Sequence, residues 1–294
     1  MKKPFEIAIL SGKGGTGKTS ITAAFSSLAD QAVFTDCDVD AADLHLLLSP
    51  EVKREEDFSS GSKAIVNMNL CNSCGICKDL CRFNAIEFIE NKPIIDEFAC
   101  EGCGLSAIAC PTSAISIKNY EKNRIFFAEC RFGPVIYGKL GIAEENSGKL
   151  VAKIRQYAKE TALKIQAQCI LTDGPPGIGC PVISSVTGVD LVVAVTEPTL
   201  SGWHDLERLI DLIGQFHTPV KVIVNKCNLN EAMSFEIADR LDAIGIEVIG
   251  RIPYDESIIE ALLDGKAITE YDPLGSTAVE LRKIWNIIQS MFII

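Results

Sequence analysis

Short apolar runs alternate with helix-forming stretches along most of the chain. Phe5–Leu10 is an apolar run that predicts a buried strand, and the small and apolar residues of Lys18–Ala29 predict a helix after it. Ala32–Asp36 predicts a second strand. Further strands are predicted at Ile170–Asp173, Leu191–Thr196, Val220–Asn225 and Glu247–Ile252, with helices near Trp203–Leu212, Glu231–Ala243 and Ser257–Leu263. This order predicts an α/β fold with a mostly parallel sheet and helices on both faces.

A cysteine-rich segment, Leu70–Ile115, interrupts this alternation. It carries an internal repeat, because Cys71–Ile86 and Cys100–Ile115 superimpose with a shift of 29 residues. A repeat this short indicates a duplicated small metal module. We therefore predict an α/β domain of residues 1–62 and 119–294 around an inserted α+β domain of residues 63–118. A charged linker, Glu51–Lys63, is predicted to lead into the insertion.

Net charge and cysteine content indicate which partners and which cellular compartment to expect. The chain has 294 residues and a net charge of −11, and no basic cluster marks a surface for nucleic acid or an anionic membrane, so neither is an expected partner. No apolar run reaches the ~18 residues of a membrane-spanning helix. The first apolar stretch ends at Leu10, which is short for a secretory signal, and seven of the twelve cysteines lie between Cys71 and Cys110. We therefore expect a cytoplasmic protein whose thiols bind metal.

A glycine-rich loop follows the first predicted strand. Gly12–Thr19 reads GKGGTGKT, which fits the phosphate-loop pattern G-x-x-x-x-G-K-[ST]. Its glycines let backbone N–H groups surround phosphate oxygens, and the next helix offers its N-terminal dipole. Lys18 is expected to reach the β- and γ-phosphates and Thr19 to bind Mg²⁺. The predicted nucleotide-binding residues of this segment are Gly12, Lys13, Gly14, Gly15, Thr16, Gly17, Lys18, Thr19 and Ser20.

Lys13 adds a second lysine early in this loop. With it the sequence resembles the MinD/ParA/Mrp group of P-loop ATPases, whose phosphate loops have the form KGGxGKT. The resemblance implies that Lys13 crosses to the nucleotide of a second subunit, where it would stabilise charge on the γ-phosphate as an arginine finger does. It therefore implies a homodimer with ATP at its interface and hydrolysis that depends on Mg²⁺. The resemblance covers nearly the whole chain outside the insertion.

Other motifs of that group have counterparts here. Asp36-Cys37-Asp38 stands where the group has switch I, which implies that Asp38 positions the attacking water and Asp36 holds Mg²⁺ through water; a run of surface acids is the alternative. DGPPG, from Asp173 to Gly177, matches Walker B with switch II, so that Asp173 would hold Mg²⁺ and Gly177 would sense the γ-phosphate. The implied catalytic residues are Lys13, Lys18 and Asp38, the implied Mg²⁺ ligands are Thr19, Asp36 and Asp173, and the implied adenine contacts are Asn225, Pro253 and Asp255.

The cysteine spacing of the insertion is that of bacterial ferredoxins. In the run Cys71-x2-Cys74-x2-Cys77-x3-Cys81, the fourth cysteine is expected to bind a different cluster from the first three. Crossed ligation then gives two predicted sets. Cluster one takes Cys71, Cys74, Cys77 and Cys110, and cluster two takes Cys81, Cys100, Cys103 and Ser106, where the pattern requires a cysteine.

Ser106 and Arg82 depart from the ferredoxin pattern. A serine alkoxide is harder and less readily ionised than a thiolate. Three outcomes are open for the second cluster: a [4Fe–4S] cluster with an oxygen ligand, a [3Fe–4S] cluster, or a labile iron open to a partner. Arg82 follows Cys81 where proline is usual. Zinc is the alternative metal for CxxC pairs, but the compact spacing and its repeat favour iron–sulfur clusters.

The combination of motifs resembles MinD-superfamily ATPases with an inserted ferredoxin domain. It implies a homodimeric ATPase that couples ATP binding and hydrolysis to electron transfer, or to cluster delivery, toward a redox or apo-metalloprotein partner. One alternative is an iron–sulfur assembly scaffold of the Mrp type. The other is a spatial organiser like MinD and ParA, which the acidic balance disfavours.

Two predictions concern segments outside these motifs. The remaining cysteines are expected in the apolar core, with a cluster-bridging role as the alternative for Cys180, by its likeness to a cysteine of the nitrogenase iron protein; they are Cys37, Cys130, Cys169, Cys180 and Cys227. The apolar helical pattern of Leu281–Ile294 predicts a final helix packed on the core, with a membrane-binding helix as the alternative.

Overall fold

The computed structural model describes residues 3–59, 61–120, 123–141 and 147–292. The chain separates into two compact units. The first, called here the sheet unit, comprises residues 1–56, 125–139 and 147–294, and the second, the cysteine unit, comprises residues 57–124 and 140–146. Within the described ranges, no helix has both the length and the apolar character to cross a membrane.

The described chain alternates strands and helices. Its strands are β1 (Phe5–Ser11), β2 (Ala32–Asp36), β3 (Glu51–Phe58), β4 (Gly61–Val66), β5 (Ile86–Ile89), β6 (Lys92–Ile95), β7 (Ile115–Tyr120), β8 (Asn123–Cys130), β9 (Gly133–Lys139), β10 (Cys169–Pro176), β11 (Leu191–Thr196), β12 (Val220–Asn225) and β13 (Glu247–Ile252). Its helices are α1 (Lys18–Leu28), α2 (Leu44–Leu48), α3 (Ile76–Asp79), α4 (Leu105–Ala109), α5 (Ser147–Ile165), α6 (Cys180–Val186), α7 (Leu200–Gly214), α8 (Glu231–Ala243), α9 (Ser257–Leu263), α10 (Ile268–Tyr271) and α11 (Ser276–Gln289).

One nine-stranded sheet organises the sheet unit, in the order β13-β12-β11-β1-β10-β2-β9-β8-β3. β1 pairs in parallel with β10 and β11, and parallel pairing continues outward to β9 on one side and β13 on the other. β2 and β11 are buried along their whole length. Such continuous burial is expected of parallel strands that helices cover on both faces. The predicted α/β fold with a mostly parallel sheet is therefore confirmed.

Alternate side chains of β1 enter two apolar cores. Ile7 and Ile9 belong to the core that α1 and α11 cover, whereas Ala8 and Leu10 belong to the core that α6, α7 and α8 cover. This follows from the two-residue period of a strand, which sends neighbouring side chains to opposite faces. β1, which leads into the phosphate loop, is therefore packed against an apolar core on each face of the sheet.

The last helix packs on the core, as predicted. α11 buries one face against the first core, and its buried apolar residues include Leu281, Ile284, Trp285 and Ile288. Ile293 and Ile294, the end of the predicted segment, lie outside the described residues. The helical spacing of the apolar residues therefore indicated a core helix correctly.

The predicted charged linker is wrong over most of its length, because Glu51–Phe58 forms strand β3. Six of its eight residues are charged, a composition more typical of a solvated connection. β3 is the outermost strand of the sheet and has mostly exposed side chains, so it needs no apolar face. β8, β9 and α5 are further elements that the sequence analysis did not assign.

The cysteine unit has an internal structural repeat. β4 pairs antiparallel with β7, and β5 with β6, beside the short helices α3 and α4. Gly75 and Gly104, which are 29 residues apart, precede these helices with φ angles of 84° and 83°. Asn84 and Ser113, with the same separation, both have φ 53°. The two halves therefore share the unusual left-handed positions that fix a chain's path, and the sequence repeat is also a structural one.

Candidate nucleotide site and cysteine cavities

The phosphate loop lies between β1 and α1, at the carboxyl edge of the parallel strands. Gly17 caps α1 with φ 86°, and a Cβ on it would lie 2.3 Å from Asn225 Nδ2. A Cβ on Gly12 would lie 2.4 Å from the backbone of Asp205. Neither position has space for a side chain, so both glycines are required by their surroundings. The first N–H groups of α1 lack partners within the helix and are available to an anion.

Asp173, in β10, accepts hydrogen bonds from three side chains of α1. Its Oδ1 accepts hydrogen bonds from Lys18 Nζ at 2.7 Å and Thr22 Oγ1 at 3.0 Å, and its Oδ2 accepts one from Thr19 Oγ1 at 2.7 Å. Burial alone would lower the pKa of Lys18, but the charge of Asp173 and the hydrogen bond to it, with two further aspartates nearby, raise that pKa above its usual value. Lys18 is therefore held as a buried cation at the loop.

Asp36 and Asp38 bring two more carboxyl groups to this region. Asp36 is fully buried, and its oxygens accept hydrogen bonds from the backbone N–H groups of Asp38 at 3.1 Å and Leu44 at 3.0 Å. Burial and the charge of Asp173 raise the pKa of Asp36 well above its usual value. Asp38 Oδ2 lies 3.9 Å from Lys18 Nζ. Burial, and then the charge of Asp173, raise the pKa of Asp38 to about 6 against the opposing effect of Lys18.

These groups form a site with more acidic than basic side chains. Three carboxyl groups lie around one buried lysine, and burial is the largest cause of the raised pKa values of Asp36 and Asp38. Carboxylate oxygens and a threonine hydroxyl are the donors that Mg²⁺ prefers in proteins. The donor set of Thr19, Asp36 and Asp173 therefore fits a magnesium ion held together with a phosphate ligand.

Lys13, the early lysine of the loop, contacts the segment after β11. Its Nζ lies 2.6 Å from Glu197 Oε1 and 2.9 Å from Ser201 Oγ. Lys226 Nζ lies 3.1 Å from the other oxygen of Glu197 and 2.8 Å from the carbonyl oxygen of Gly15. Burial would raise the pKa of Glu197, but hydrogen bonds from the two lysines lower it below its usual value. Glu197 therefore joins the phosphate loop to the ends of β11 and β12.

An apolar cavity adjoins the start of α1 and brings the predicted base-binding residues together. The predicted residues that line it are Gly17, Ser20, Asn225, Pro253 and Asp255, and its apolar walls are formed by Ile21, Ile252, Ile258, Ile259, Ile268 and Leu281. An apolar lining with a few polar side chains is typical of a small-molecule site.

Two of these polar side chains already have protein partners. Asn225 Nδ2 donates to the carbonyl oxygen of Thr16 at 2.7 Å, and its Oδ1 accepts from the Lys226 N–H at 2.9 Å. The Asp255 carboxylate accepts hydrogen bonds from the Ser257 N–H at 3.0 Å and from Thr277 Oγ1 at 2.6 Å. Asp255 therefore stabilises the start of α9, a role that its position in the sequence did not indicate.

Gly174, in β10, and Gly177, directly after it, hold the DGPPG segment against β1. Gly177 has φ 90°, and its N–H donates to the carbonyl oxygen of Ser11 at 2.9 Å. A Cβ on Gly174 would lie 2.3 Å from Leu10 Cδ2. The DGPPG segment is therefore adjacent to the phosphate loop, where the resemblance expects a γ-phosphate sensor.

Three contacting residues were missed in the sequence analysis. Thr22 stands one helical turn after Thr19, and this i, i+3 spacing was an available signal. Glu197 directly follows a buried strand, a position that in parallel sheets lies at the ligand-binding edge. Lys226 follows Asn225, but no spacing links it to Gly15, 211 residues earlier.

The cysteine unit contains two cavities, and each is lined by one predicted ligand set. Cavity A is lined by Cys71, Cys74, Cys77 and Cys110, among others. Cavity B is lined by Cys81, Cys100, Cys103 and Ser106, among others. In the part of the chain that the structure describes, no three His, Cys, Asp or Glu side chains form a group that could hold a metal ion. The thiols instead surround these two spaces.

Backbone N–H groups donate to cysteine sulfurs at equivalent places in the repeat. The Ala85 N–H lies 3.4 Å from Cys81 Sγ, and the Ala114 N–H, 29 residues later, lies 3.2 Å from Cys110 Sγ. Hydrogen bonds to cluster sulfurs tune iron–sulfur centres. The donor chemistry of both cavities therefore fits thiolate ligation.

The cysteines outside this unit differ in exposure. Cys37, Cys130 and Cys169 are buried, as expected of core residues, and Cys227 is half-buried. Burial raises the pKa of both Cys37 and Cys169 to about 12, which keeps them as thiols. Cys180 is exposed at the start of α6, so it is not a core residue. A bridging role for Cys180 stays a prediction.

Comparisons with known proteins agree with this geometry. An uncharacterised protein of Methanocaldococcus jannaschii is 38% identical over 229 residues, 76% of this chain and 79% of that protein. An uncharacterised ferredoxin of the same organism is 49% identical over 43 residues, 15% of this chain and 28% of that protein. The septum site-determining protein MinD of Pyrococcus horikoshii, solved with Mg-ADP, has the same fold, with a TM-score of 0.58 and 18% identity over 98% of this chain and 97% of that one. Residues 7–268 match the CobQ/CobB/MinD/ParA nucleotide binding domain, and the chain belongs to that family.

Proposed function

We propose that this protein is an Mg²⁺-dependent ATPase that dimerises around ATP and couples the nucleotide cycle to iron–sulfur clusters in its cysteine unit. The family assignment supplies the nucleotide-binding P-loop domain. The observation that carries the finer proposal is that the two cavities of the cysteine unit are lined by the two ligand sets expected from the ferredoxin spacing. The proposed product of the cycle is an electron, or a cluster, passed to a partner protein.

The hydrolytic step follows from the charges at the loop. Lys18 would exchange its contact with Asp173 for the β- and γ-phosphates, and Thr19 with Asp36 and Asp173 would hold Mg²⁺, which neutralises phosphate charge. Asp38 would align the attacking water. Lys13 of the second subunit would stabilise the transferring phosphoryl group, after release from Glu197 of its own chain.

Adenine is the proposed occupant of the apolar cavity beside α1. Asn225 and Pro253 line that cavity, and Gly17 and Ser20 lie where it meets the phosphate loop. The bound base would give Asn225 a new hydrogen-bond partner beside its present contact with Thr16. The cavity and the loop are contiguous through Gly17, as one nucleotide requires.

The cysteine unit is proposed to hold two clusters. Cluster one would bind the four thiolates of cavity A, and cluster two the three thiolates of cavity B with Ser106 at the fourth position. These clusters would supply one-electron transfer. The insertion lies between Asp38 and Asp173 in the sequence, the two acids proposed to respond to nucleotide, so coupling in both directions is expected.

Anaerobic metal analysis with EPR, with and without ATP, tests the proposal. We expect about seven or eight iron atoms and similar sulfide per chain, and a change of the cluster signals when ATP and Mg²⁺ are added. ATP should also convert the protein to a dimer in sedimentation measurements. Zinc or no metal in anaerobic preparations would contradict the cluster proposal, and a monomer with ATP would contradict the dimer.

An assembly scaffold is the second candidate, because cavity B offers only three thiols. A cluster with an incomplete thiolate set is more easily released than one with four. Transfer of a cluster to an apo-acceptor on mixing would favour the scaffold. Retention of both clusters through repeated ATP turnover would favour the redox function.

A further inference from the structure

Cavity B differs from cavity A at several positions that the repeat aligns, and two of these differences bear on metal and anion binding. Ser106 of cavity B stands where cavity A has Cys77, and Arg82 stands where cavity A has Pro111. Each pair is separated by the same 29 residues as the repeat itself. Two departures from the repeat, one that removes a thiol and one that adds a cation, therefore occur in a single cavity.

Cavity B is also the larger of the two. The space open to the centre of a water molecule is about 200 Å³ in cavity B and about 20 Å³ in cavity A. Cavity B, which Arg82 and Ser106 line, is therefore the less closely packed of the two.

Among the residues that the structure describes, Ser106 and Arg82 have no hydrogen-bond or ion-pair partner. Ser106 is half-buried, and its hydroxyl makes no hydrogen bond with any residue that the structure describes. Arg82 is exposed and forms no ion pair over the same ranges; its guanidinium carbon lies 4.8 Å from the centre of the Phe83 ring. Glu101, an exposed acid, also lines the cavity. A positive group and a hydroxyl are thus both available to a ligand.

We propose that cavity B binds a small carboxylate, which Arg82 holds beside the position of the missing thiolate. The proposal rests on the iron–sulfur function proposed above. A guanidinium pairs with a carboxylate through two parallel hydrogen bonds. A carboxylate is ionised at neutral pH, whereas a serine hydroxyl is not, so it is the better oxygen donor to an iron that lacks its fourth thiolate.

The lining of cavity B limits the size and polarity of this ligand. Leu80, Phe83 and Ile117 contribute apolar surface. Glu101 adds a negative charge that a polyanion would encounter at close range. The cavity therefore suits a monocarboxylate with a short apolar part better than a phosphate or a tricarboxylate.

The test uses acetate labelled with ¹³C at its carboxyl carbon, added to the anaerobically reconstituted, reduced protein. We expect a ¹³C hyperfine coupling to one cluster in ENDOR spectra, and a saturable change in the EPR signal of that cluster. Ser106→Cys restores the repeat and should abolish the coupling while the iron content stays at about eight atoms per chain. Arg82→Gln should weaken acetate binding about tenfold or more, and Glu101→Gln should strengthen it.

Each result has a defined meaning. No ¹³C coupling at saturating acetate in wild type that contains both clusters, or equal coupling in Ser106→Cys, would overturn this inference and leave the iron–sulfur function intact. Unchanged affinity in Arg82→Gln would overturn the role of Arg82, even if Ser106→Cys did not fold. Wild type without iron and sulfide would instead overturn the proposed function itself.

Discussion

The two lysines of the phosphate loop differ in exposure and in partner. Lys18 is only 6% exposed and is held by Asp173, whereas Lys13 is 28% exposed and is held by Glu197. Separating a buried lysine from its partner is costly, and the more exposed pair of Lys13 and Glu197 should cost less to separate than that of Lys18 and Asp173. Lys13 is therefore the lysine that exchanges partners readily, which agrees with a role in a second subunit.

Replacing Lys13 should separate catalysis from binding. We expect Lys13→Ala to lower kcat for ATP by about 10³-fold or more, the scale of a lost arginine finger, with a much smaller effect on nucleotide binding and no change in iron content. Steady-state hydrolysis and a nucleotide-binding titration would measure the two effects. Lys221→Ala is the matched control, because Lys221 pairs with Glu247 on the strands β12 and β13. Hydrolysis by Lys13→Ala at the wild-type rate would rule out the trans-lysine mechanism.

The raised pKa of Asp38 predicts the pH dependence of hydrolysis. With a pKa of about 6, Asp38 loses its charge as the pH falls through that value, so kcat should fall on the acidic side with one proton taken up. Asp40 contributes to the raised pKa, so Asp40→Asn should move this limb to lower pH. A pH–kcat profile measures both shifts, and a profile without an acidic limb would argue against an ionised Asp38.

The same pKa shift affects stability with a defined sign. The folded pKa lies above the unfolded value, so the folded state binds more protons between about pH 4 and pH 6, and stability is lost as the pH rises through that window. Asp38→Asn should therefore stabilise the protein above pH 6 and leave its stability nearly unchanged below pH 4. Urea unfolding at both pH values would measure this; equal effects at the two would contradict it.

At the scale of elements, α11 closes one face of the sheet. Ile284 is fully buried, and a Cβ on Gly250 of β13 would lie 2.2 Å from its Cδ1 atom. Phe25 of α1 and Trp285 are also in contact, with ring centroids 5.5 Å apart. This close packing ties the last helix to the first, so α11 is part of the core that supports the phosphate loop.

A pair of substitutions in α11 should show which of its faces is buried. Ile284→Ala should lower the free energy of unfolding by about 2–5 kcal/mol, because it leaves a cavity in the core. Ile287→Ala, at a residue 37% exposed on the same helix, should change it by about 0.5 kcal/mol or less. Urea denaturation midpoints measure both; similar losses in the two variants would contradict the observed packing.

The sequence was sufficient for the elements that carry a local signal. The six strands with apolar runs and the helices between the later ones were predicted to within three residues of their observed bounds, because their apolar runs can be recognised from the sequence. β3 was missed because its charges resemble those of a linker, and α5 was not assigned. The contact of Lys13 with Glu197 joins positions 184 residues apart, and no local pattern carries such information.

At the scale of the whole molecule, the two units hold different chemistry in one chain. In the sheet unit, the polar residues of the predicted nucleotide site lie at the phosphate loop. The cysteine unit has two thiol-lined cavities. The repeat and its ferredoxin spacing were visible in the sequence, whereas the difference in size between the cavities depends on how both halves fold. Which cysteines lie together was therefore predictable, but the space around them was not.

The iron content should depend on the cysteines of the cysteine unit and not on the buried cysteines of the sheet unit. We expect Cys71→Ala to lower the iron content of anaerobic preparations by about half, because it removes a ligand of one cluster, with ATP binding retained. Cys169→Ala, at a buried cysteine of the sheet unit, should leave the iron content unchanged. Iron and sulfide assays measure both. Equal iron loss in the two variants would place the metal elsewhere.

The two edge strands of the large sheet, β3 and β13, differ in charge. β3 carries six charges in eight residues, whereas β13 (EVIGRI) carries two in six. A highly charged edge strand resists addition of a strand from another chain, because pairing would remove water from its charged side chains. We therefore expect strands from other molecules to add at β13. This applies to heat-induced aggregation and to binding of an extended peptide.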